Sequence, residues 1–461
     1  MENKTKKPGP FSSLRFAAAM REGDGITRLS LFILGLGSLV HKQFGRFIVF
    51  IAIEAGYIIY MAQTGVKSLR NLATLGVVEQ TEVYNEALGL YEYPSGDNSM
   101  LFLLYGVVTI IITLAFICIM MGSARCAHSA QMLKQAGKRQ PKFREDVSSL
   151  LDANLYKLFL TWPVSGVMVF TIVPLIFMIL IAFTSFDRNH QPPGNLFAWV
   201  GLENFREMLT SGGELAVTFW PILGWTVIWA IFATSTNYIL GMILAIIINR
   251  NGTQLKSMWR FIFILSIAMP SFVSLLTMRT IFANNGAFNI LLRSIGLLGM
   301  SDTITYFGDP LLAKVMVIII NIWIGVPFTM LTTTGILKNI PAELYEAANV
   351  DGAGPVYTFF KITLPYMIFV TTPYLITTFV GNINNFNVIY LLTGGGPDSL
   401  EFYHAGHTDL LVTWLYKLTI THKDYNLGSV ISIIVFVLMA TTSLIAYRYS
   451  GAYKNEEEFQ K

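Results

Sequence analysis

A cluster of four asparagines interrupts an apolar stretch in the last third of the chain. Within the sequence FVGNINNFNVIY the cluster comprises Asn382, Asn384, Asn385 and Asn387, and Gly381 precedes it. An asparagine amide both donates and accepts hydrogen bonds, as a hydroxyl group does, and Asn382 and Asn385 would share one face of a helix. The cluster therefore predicts a polar cavity for a hydroxyl-rich ligand. The alternative is that the asparagines only join neighbouring helices.

A second candidate binding element lies on the preceding apolar stretch. Asn321, Ile324, Gly325 and Phe328 are spaced at i, i+3, i+4 and i+7, which places them on one helix face. The stripe combines an amide, an open position at glycine and an aromatic ring. A ring offers an apolar face to the C–H side of a sugar, and amides can bond to its hydroxyl groups. Together the two elements predict a sugar-binding site.

The composition indicates that helices in a membrane position these residues. The chain is 53% hydrophobic and 13% charged, whereas a soluble protein has about 25% charged residues. A bilayer core about 30 Å thick requires about 20 apolar residues per helix. We therefore predict an all-α, polytopic membrane protein with about eight transmembrane helices, near 45–63, 101–121, 158–184, 219–248, 259–283, 311–337, 366–392 and 428–448. Four spans contain a proline: Pro174, Pro270, Pro327 and Pro373. Discontinuities in membrane helices tend to line cavities, but for any single proline a structural kink satisfied by neighbouring helices is the favoured interpretation.

Lysine and arginine predict which loops are cytoplasmic, because short cytoplasmic loops hold them in excess. They gather in the N-terminal segment and in residues 125–144, whereas the loop after the first span is acidic. Both termini are therefore predicted to be cytoplasmic in a multi-pass protein of the cell membrane, as are 249–260 and 338–365. The same bias accounts for the net charge of +4, so we expect no nucleic-acid partner.

The N-terminal part contains features that this topology must accommodate. The stretch Leu29–Val40 is apolar but too short to span, which predicts a re-entrant or interfacial helix leading into the first span. Glu54 lies within the first span, where a charge is costly and is either functional or structurally paired. Cys118 and Cys126 lie towards the cytoplasmic side, where we expect no structural disulfide.

The polar loop at 338–365 predicts a short lever between two spans. Pro341 suits the first turn of a helix, and Ala342–Ala348 are mostly good helix formers. Gly352 can end that helix by adopting a positive φ, and Pro355 can begin a second helix. Leu364 and Pro365 are then predicted to return the chain to the membrane. An ordinary amphipathic connector is the alternative.

The same loop carries a motif that identifies a family. Its residues are Glu346, Ala347, Ala348, Asp351, Gly352, Ala353, Ile362, Leu364 and Pro365. This order resembles the EAA loop of permease subunits in binding-protein-dependent ABC importers. The resemblance implies that the helix within 342–352 docks on a separate ATPase and that the first five of these residues couple ATP hydrolysis to transport. The sequence contains no G-x-x-x-x-G-K-[ST] loop. We therefore expect ATP and magnesium to bind to that partner, and neither an enzyme activity nor a metal site in this chain.

From about residue 158 the chain resembles the larger permease subunit of maltose and maltodextrin importers, the MalF type. The matching segments are ELYEA, DGAGP, FFKITLP, NNF, GGPD and TDLLV. The resemblance implies substrate contacts at Ser271, Asn321, Ile324, Gly325, Phe328, Asn382 and Asn385. Two residues depart from the family pattern, because Ile267 replaces a tyrosine and Gly381 replaces a phenylalanine. The large external domain of the enteric-type protein is also absent, since only 185–218 separates the third and fourth spans. This absence suggests a cell with one membrane and a lipid-anchored binding protein.

The chain is accordingly predicted to have two parts. Residues 1–157 form a cytoplasmic segment with two auxiliary transmembrane helices, and residues 158–461 form a permease domain with the six-helix core of type I ABC importers. The predicted function is to form half of the path of an ATP-driven sugar importer, for maltose or maltodextrin. The implied partners are a second, MalG-like permease subunit, two ATP-binding subunits and an extracellular sugar-binding protein, with an oligosaccharide as substrate.

Other functions remain open on the sequence alone. Within transport, the substrate could be another oligosaccharide or a polyol derivative. In a different class, a membrane receptor or regulatory subunit would use the same helices without net transport. An integral-membrane enzyme has the least support, because no catalytic set of residues is evident.

Overall fold

The computed structural model describes residues 16–86, 89–141, 143–152, 154–210, 212–250 and 252–449. The predicted basic segment before residue 16, Lys142 within 125–144, and the C-terminal residues 450–461 lie outside these ranges. Seven described helices are long and apolar enough to cross a membrane, or eight spans if one bent pair counts as a span. The predicted all-α membrane fold is thereby confirmed. The chain divides into two compact units, Met1–Val200 and Gly201–Lys461, while the division at 157/158, drawn from sequence character, stays a prediction.

The first unit is a set of helices with one small hairpin. Its helices are α1 (Phe16–Glu22), α2 (Gly25–Leu29), α3 (Leu36–Val40), α4 (Phe44–Tyr60), α5 (Val66–Thr74), α6 (Ser99–Gln135), α7 (Phe143–Leu151), α8 (Leu155–Val167) and α9 (Val173–Ile181). π-Helical turns, Met61–Gly65 and Met168–Ile172, join α4 to α5 and α8 to α9. A small antiparallel hairpin of β1 (Val83–Asn85) and β2 (Leu90–Glu92), with Tyr84 opposite Tyr91, lies between α5 and α6.

The apolar stretch at 29–40 is a broken hairpin of α2 and α3 rather than one helix. Between them the backbone N–H of Leu34 donates to Glu54 Oε2 at 2.8 Å, and that of Gly35 donates to Ser123 Oγ at 2.9 Å. An unpaired backbone N–H in a membrane costs several kcal/mol. The Glu54 carboxylate therefore has a structural partner in the turn, as one of the two predicted interpretations requires.

The second unit holds the remaining helices. They are α10 (Glu203–Leu209), α11 (Glu214–Asn249), α12 (Lys256–Ala268), α13 (Ser271–Ile281), α14 (Ala287–Ser294), α15 (Pro310–Leu337), α16 (Ala342–Val350), α17 (Pro355–Thr358), α18 (Leu364–Ile383), α19 (Phe386–Leu392), α20 (Leu411–Tyr416) and α21 (Tyr425–Tyr449). π-Helical turns, Phe359–Thr363 and Lys417–His422, join α17 to α18 and follow α20.

Two predicted spans are interrupted. The span predicted over 259–283 is the bent pair α12 and α13, whose axes differ by 89°. Pro270 lacks an N–H and disfavours a helical conformation at the residue before it, and Met269 is accordingly extended, with φ −77° and ψ 127°. The span predicted over 366–392 is broken between α18 and α19, within the asparagine cluster.

Small residues bring α11 and α15 together. A Cβ on Gly241 would lie 2.6 Å from Thr329 Cβ, and a Cβ on Gly325 would lie 2.2 Å from Asn237 Nδ2. Small residues allow such close approach between membrane helices. Beside this contact lies a hydrophobic core that includes Trp225, Trp229, Leu275, Tyr306, Ile320 and Ile389.

Residues 393–424, which we call the cap, fold onto the first half of α11. Trp225 Nε1 donates to the carbonyl oxygen of Thr408 at 3.1 Å, and the N–H of Leu411 donates to Thr226 Oγ1 at 3.1 Å. The 338–365 loop follows α15, and the end of α15 lies beside the end of α11, since Asn249 Nδ2 donates to Thr334 Oγ1 at 3.2 Å. The cap and the loop therefore lie at opposite ends of these helices. Hydrogen bonds to a long helix therefore fix the position of the cap.

A buried ion pair lies at the centre of the cap. The side chain of Asp409 is fully buried, and it accepts from Lys417 Nζ at 2.6 Å and from the N–H of Gly406 at 2.8 Å. Burial raises the pKa of the Asp409 carboxyl, and the Lys417 ammonium acts in the opposite direction. Gly395 has a φ of +89°, and a Cβ there would lie 2.0 Å from Asp409 Oδ1. The glycine turn thus leaves room for the carboxylate.

Candidate substrate-binding site and coupling loop

A polar cavity of about 240 Å³ lies among α11, α15 and α18. Four of the predicted substrate contacts line it: Asn321, Gly325, Phe328 and Asn382. The other lining residues are Thr234, Asn237, Tyr238, Thr329, Tyr374, Leu375 and Thr378. The structure therefore brings the predicted stripe of α15 and part of the asparagine cluster to one place.

The stripe on α15 contributes an amide and an aromatic ring to this cavity. Asn321 is buried and Phe328 is about half exposed, at 52%. Gly325 lies beside the Asn237 amide of α11, whose Nδ2 occupies the space that a side chain at 325 would need. The open position predicted at Gly325 is therefore filled by an amide from the neighbouring helix. An amide, a ring and a second amide line this part of the wall.

Asn382 uses its polar groups within the protein. Its Nδ2 donates to Thr234 Oγ1 at 3.0 Å, and its Oδ1 accepts from Asn385 Nδ2 at 3.3 Å. Its carbonyl oxygen accepts from Trp229 Nε1 at 3.1 Å. Asn385 in turn caps α19, because its Oδ1 accepts from the N–H of Val388 at 3.3 Å. These bonds fix the break between α18 and α19 and resemble the joining role that the sequence left open.

Two other amide groups in the cavity are buried and unpaired. Within the described ranges, Asn237 Oδ1 and Asn321 Nδ2 have no hydrogen-bond partner. Their residues are 9% and 6% exposed. One group is an acceptor and the other is a donor, so the cavity offers both halves of the hydrogen bonding of a hydroxyl group.

Three predicted contact residues do not line this cavity. Ser271 begins α13 and is exposed, Ile324 packs against the hydrophobic core, and Asn385 bonds to Asn382. Their contacts with a substrate stay predictions. The two departures from the family pattern, Ile267 and Gly381, are both exposed, and a Cβ at Gly381 would meet no described atom within 4 Å.

Sequence reasoning missed the contributions of α11 and of the middle of α18. Thr234, Asn237 and Tyr238 lie at i, i+3 and i+4 of α11, and Tyr374 and Thr378 lie at i and i+4 of α18. The same helical spacing that predicted the stripe on α15 could have found them. Their polar groups are spread among apolar residues, so composition alone gave little signal.

The first helix of the coupling loop is present as predicted. α16 covers Ala342–Val350, Pro341 precedes it as the N-cap rather than within its first turn, and Asp351 follows as the C-cap. Gly352 has a φ of +71° and its N–H donates to the carbonyl oxygen of Asn349 at 3.1 Å. This is the glycine-ended helix terminus that the sequence predicted.

Of the coupling residues, Glu346 and Ala347 are exposed on α16, as are Asp351 and Gly352, whereas Ala348 is buried. The Tyr345 hydroxyl shares a hydrogen bond with Thr363 Oγ1 at 3.0 Å. Thr363 belongs to a helix that runs without interruption over Pro355–Ile383. The second helix of the loop is therefore the start of the span itself, so Leu364 and Pro365 do not turn the chain. Movement of α16 would act directly on a helix that reaches the cavity.

No group of three His, Cys, Asp or Glu side chains within the described part of the chain could hold a metal ion. The chemistry that the cavity offers is hydrogen bonding and ring contact. Both are suited to binding a neutral, hydroxyl-rich molecule.

Comparisons with known proteins give a consistent result. Residues 237–452 match the family described as binding-protein-dependent transport system inner membrane component. The chain is 32% identical to the maltodextrin transport system permease protein MdxF of Bacillus subtilis (strain 168), over 92% of this chain and 95% of that protein. It is 31% identical to the galactooligosaccharides transport system permease protein GanP of the same organism, over 94% and 99%.

A solved structure shows a similar fold. It is a bacterial ABC transporter involved in the import of the acidic polysaccharide alginate, with a TM-score of 0.52 and 21% identity. The match covers 66% of this chain and 97% of that chain. At this identity the likeness concerns the fold alone.

Proposed function

Because the chain belongs to the family of binding-protein-dependent ABC importer permeases, we propose that it forms half of the translocation path for an oligosaccharide of the maltodextrin class. The family membership confirms the resemblance drawn from the 338–365 loop. It makes the chain a membrane-spanning transport subunit. The substrate, the partners and the orientation are the proposed parts.

The polar cavity is the observation that carries this proposal. Asn321, Gly325 and Phe328 lie in the middle part of the 28-residue helix α15, and transporter sites commonly lie near the middle of the membrane. A volume of about 240 Å³ corresponds to about eight water molecules at their share of liquid volume. A cavity of this size suits one sugar ring at a time, with amides for its hydroxyl groups and Phe328 for its apolar face.

The names of the relatives favour two sugar classes. MdxF is described as a maltodextrin permease and GanP as a galactooligosaccharide permease, at nearly equal identity. The maltodextrin class is our first choice because the segments from 343 to 412 resemble that importer family. A galactooligosaccharide is the second candidate. Ile267 and Gly381, where rings are replaced, are the positions at which the choice of sugar could differ.

ATP hydrolysis by a separate subunit would drive the cycle. α16 and the turn that follows it present Glu346, Ala347, Asp351 and Gly352 at an exposed surface, which suits docking to an ATPase. ATP and magnesium would bind to that ATPase subunit, so this chain needs no cofactor of its own. Two ATPase copies, a second permease of the MalG type and an external sugar-binding protein complete the proposed complex.

The proposed location is the cell membrane, with both termini in the cytoplasm. The distribution of lysine and arginine supports this orientation. A short connection at 185–218, without a large inserted domain, suits a bacterium with one membrane and a lipid-anchored binding protein.

Reconstitution of the complete complex in vesicles tests the proposal. Binding protein loaded with maltotriose should stimulate ATP hydrolysis and drive sugar uptake. Stimulation and uptake with a galactooligosaccharide alone would favour the second candidate. ATPase stimulation without uptake of either sugar would indicate a receptor or regulatory subunit and contradict the transport role.

A further inference from the structure

The amide oxygen of Asn237, on α11, lacks a hydrogen-bond donor. Asn237 Oδ1 is buried without a hydrogen-bond partner among the described residues, and so is Asn321 Nδ2 in the same cavity. A buried polar atom left unpaired costs about 1–3 kcal/mol, and each such case in a native protein requires an explanation. Both belong to residues that line one polar cavity, and this pairing points to a ligand that supplies both bonds.

The neighbouring helix is shaped to hold the Asn237 amide in this cavity. A Cβ on Gly325 would lie 2.2 Å from Asn237 Nδ2 and 2.9 Å from its Oδ1. Contacts this short cannot be accommodated without displacing the amide. Gly325 therefore acts through Asn237, and it need not touch the substrate to influence binding.

We propose that Asn237 is a substrate contact that selects for a hydroxyl group at one position of the sugar. Asn237 Oδ1 accepts a hydrogen bond from this hydroxyl group, and Asn321 Nδ2 donates one to the same hydroxyl oxygen or to its neighbour. This inference rests on the proposed sugar transport. A hydroxyl supplies both bonds, a methoxy group can only accept, and a deoxy position supplies neither. Sites built to bond a hydroxyl reject analogues that lack it, because their own polar groups are then left unpaired.

A structural role and a binding role predict opposite effects on stability. If Asn237 mainly joins helices, replacing it should weaken the fold. If Asn237 Oδ1 is paired only when a substrate is bound, replacing Asn237 with an apolar residue of similar size removes an unpaired group from the empty protein. The empty protein should then keep its thermal stability or gain some, at the expense of transport.

The test measures sugar taken up per ATP hydrolysed, in the full reconstituted complex, with saturating binding protein loaded with maltotriose or with each monodeoxy-maltotriose. Saturation removes the contribution of sugar affinity in the binding protein. For the wild type we expect about a tenfold fall for the deoxy analogue that lacks the selected hydroxyl, the usual effect of about one lost hydrogen bond to a buried group. Asn237→Leu and Asn237→Ala should show that fall already with maltotriose, and no further fall with this analogue.

Asn249→Leu is the matched control on the same helix. Its amide is already paired, since Nδ2 donates to the Ala245 carbonyl oxygen at 2.6 Å and to Thr334 Oγ1 at 3.2 Å. This variant should lower the midpoint of thermal unfolding and leave the response to the analogues as in the wild type.

The possible failures can be told apart. If the wild type takes up no oligosaccharide, the proposed function and this inference both fall. If the wild type transports maltotriose and both Asn237 variants discriminate among the analogues as the wild type does, only the inference is overturned. Poor assembly or reduced thermal stability of both variants would likewise show that Asn237 is structural.

Discussion

The cap at 393–424 and the coupling loop at 338–365 lie at opposite ends of the same helices and are built in opposite ways. The cap buries a charged pair and bonds to α11 through several side chains. The loop exposes most of α16, and Val350 at its end is 87% exposed. Leu344 and Val356 of the same loop are exposed as well, at 43% and 69%, and exposed apolar side chains gathered in one region suit a contact with another molecule. Contacts within this chain thus hold the cap in place, whereas the loop has the character of a surface that a partner completes.

The cavity between these ends contains both kinds of construction. The side-chain amide of Asn382 is hydrogen-bonded through both its nitrogen and its oxygen, and its carbonyl oxygen accepts from Trp229 on α11, the helix that holds the cap. Asn237 and Asn321 each hold an unpaired group. The difference suggests which residues stabilise the permease and which ones wait for a substrate.

The largest effect on stability is expected in the cap. Asp409→Ala removes the partner of Lys417, whose side chain is only 19% exposed, and breaking a buried pair on one side costs about 3–5 kcal/mol. The midpoint of thermal unfolding of the purified chain should fall markedly. Asp398→Ala is the control, because Asp398 is an exposed aspartate of the same cap. Equal midpoints for the two variants would show that the cap does not depend on the ion pair.

The coupling loop should respond in function rather than stability. Gly352→Pro cannot adopt the φ of +71° because proline fixes φ near −65°, and Glu346→Lys reverses a charge on the exposed surface of α16. We expect both chains to insert and fold, while sugar uptake falls at least tenfold, by about 1.4 kcal/mol or more in coupling. ATPase association and uptake in vesicles measure this.

A matched pair of alanine variants sharpens that prediction. Gly352 and Gly354 both have room for a Cβ, since no described atom lies within 4 Å of either position. Gly354 has an ordinary φ of −70°, so Gly354→Ala should be nearly silent, whereas Gly352→Ala carries the strain of a left-handed residue, about 1–2 kcal/mol. Normal uptake by Gly352→Pro and Glu346→Lys in fully assembled complexes would rule out the lever.

Smaller effects are expected in the cavity, and they should differ between paired and unpaired residues. Asn382→Ala leaves Thr234 and Asn385 without their partner and should lower complex stability by about 1–3 kcal/mol. Asn321→Ala should leave stability unchanged and reduce uptake, with Phe328→Ala acting similarly through lost ring contact. Loaded binding protein should still stimulate ATP hydrolysis in all three. If Asn382→Ala changes the sugar preference without loss of stability, Asn382 is a substrate contact, as the sequence predicted.

The sequence predicted the spans well because a helix in a membrane must satisfy its own backbone, which requires a long apolar run that is visible in one dimension. It predicted the helix end at Gly352 because few residues other than glycine accept a positive φ. It could not distinguish a proline that kinks a helix from one that breaks it. Pro270 ends a helix with an 89° bend, whereas Pro327 lies inside the continuous α15. Neighbouring helices decide between these outcomes.

The candidate site was predicted in part for a related reason. Spacing along one helix indicated Asn321, Gly325 and Phe328, which share a face. Whether an asparagine is paired depends on atoms from other helices, so the sequence could not distinguish Asn382 from Asn321. Asn237 was missed because its role depends on the space left by Gly325 on another helix.

The smallest effect on activity, and the most direct test of which end faces which side, comes from single cysteines. In a chain with Cys118→Ser and Cys126→Ser, a cysteine is placed at the exposed position of Leu400 in the cap, of Glu92 in β2, or of Glu343 in α16. A membrane-impermeant maleimide should label Leu400→Cys and Glu92→Cys on intact cells, and Glu343→Cys only after permeabilisation. Uptake should change little, since none of the three side chains is buried. The reverse labelling would place the cap in the cytoplasm and α16 outside the cell, where an ATPase could not reach it.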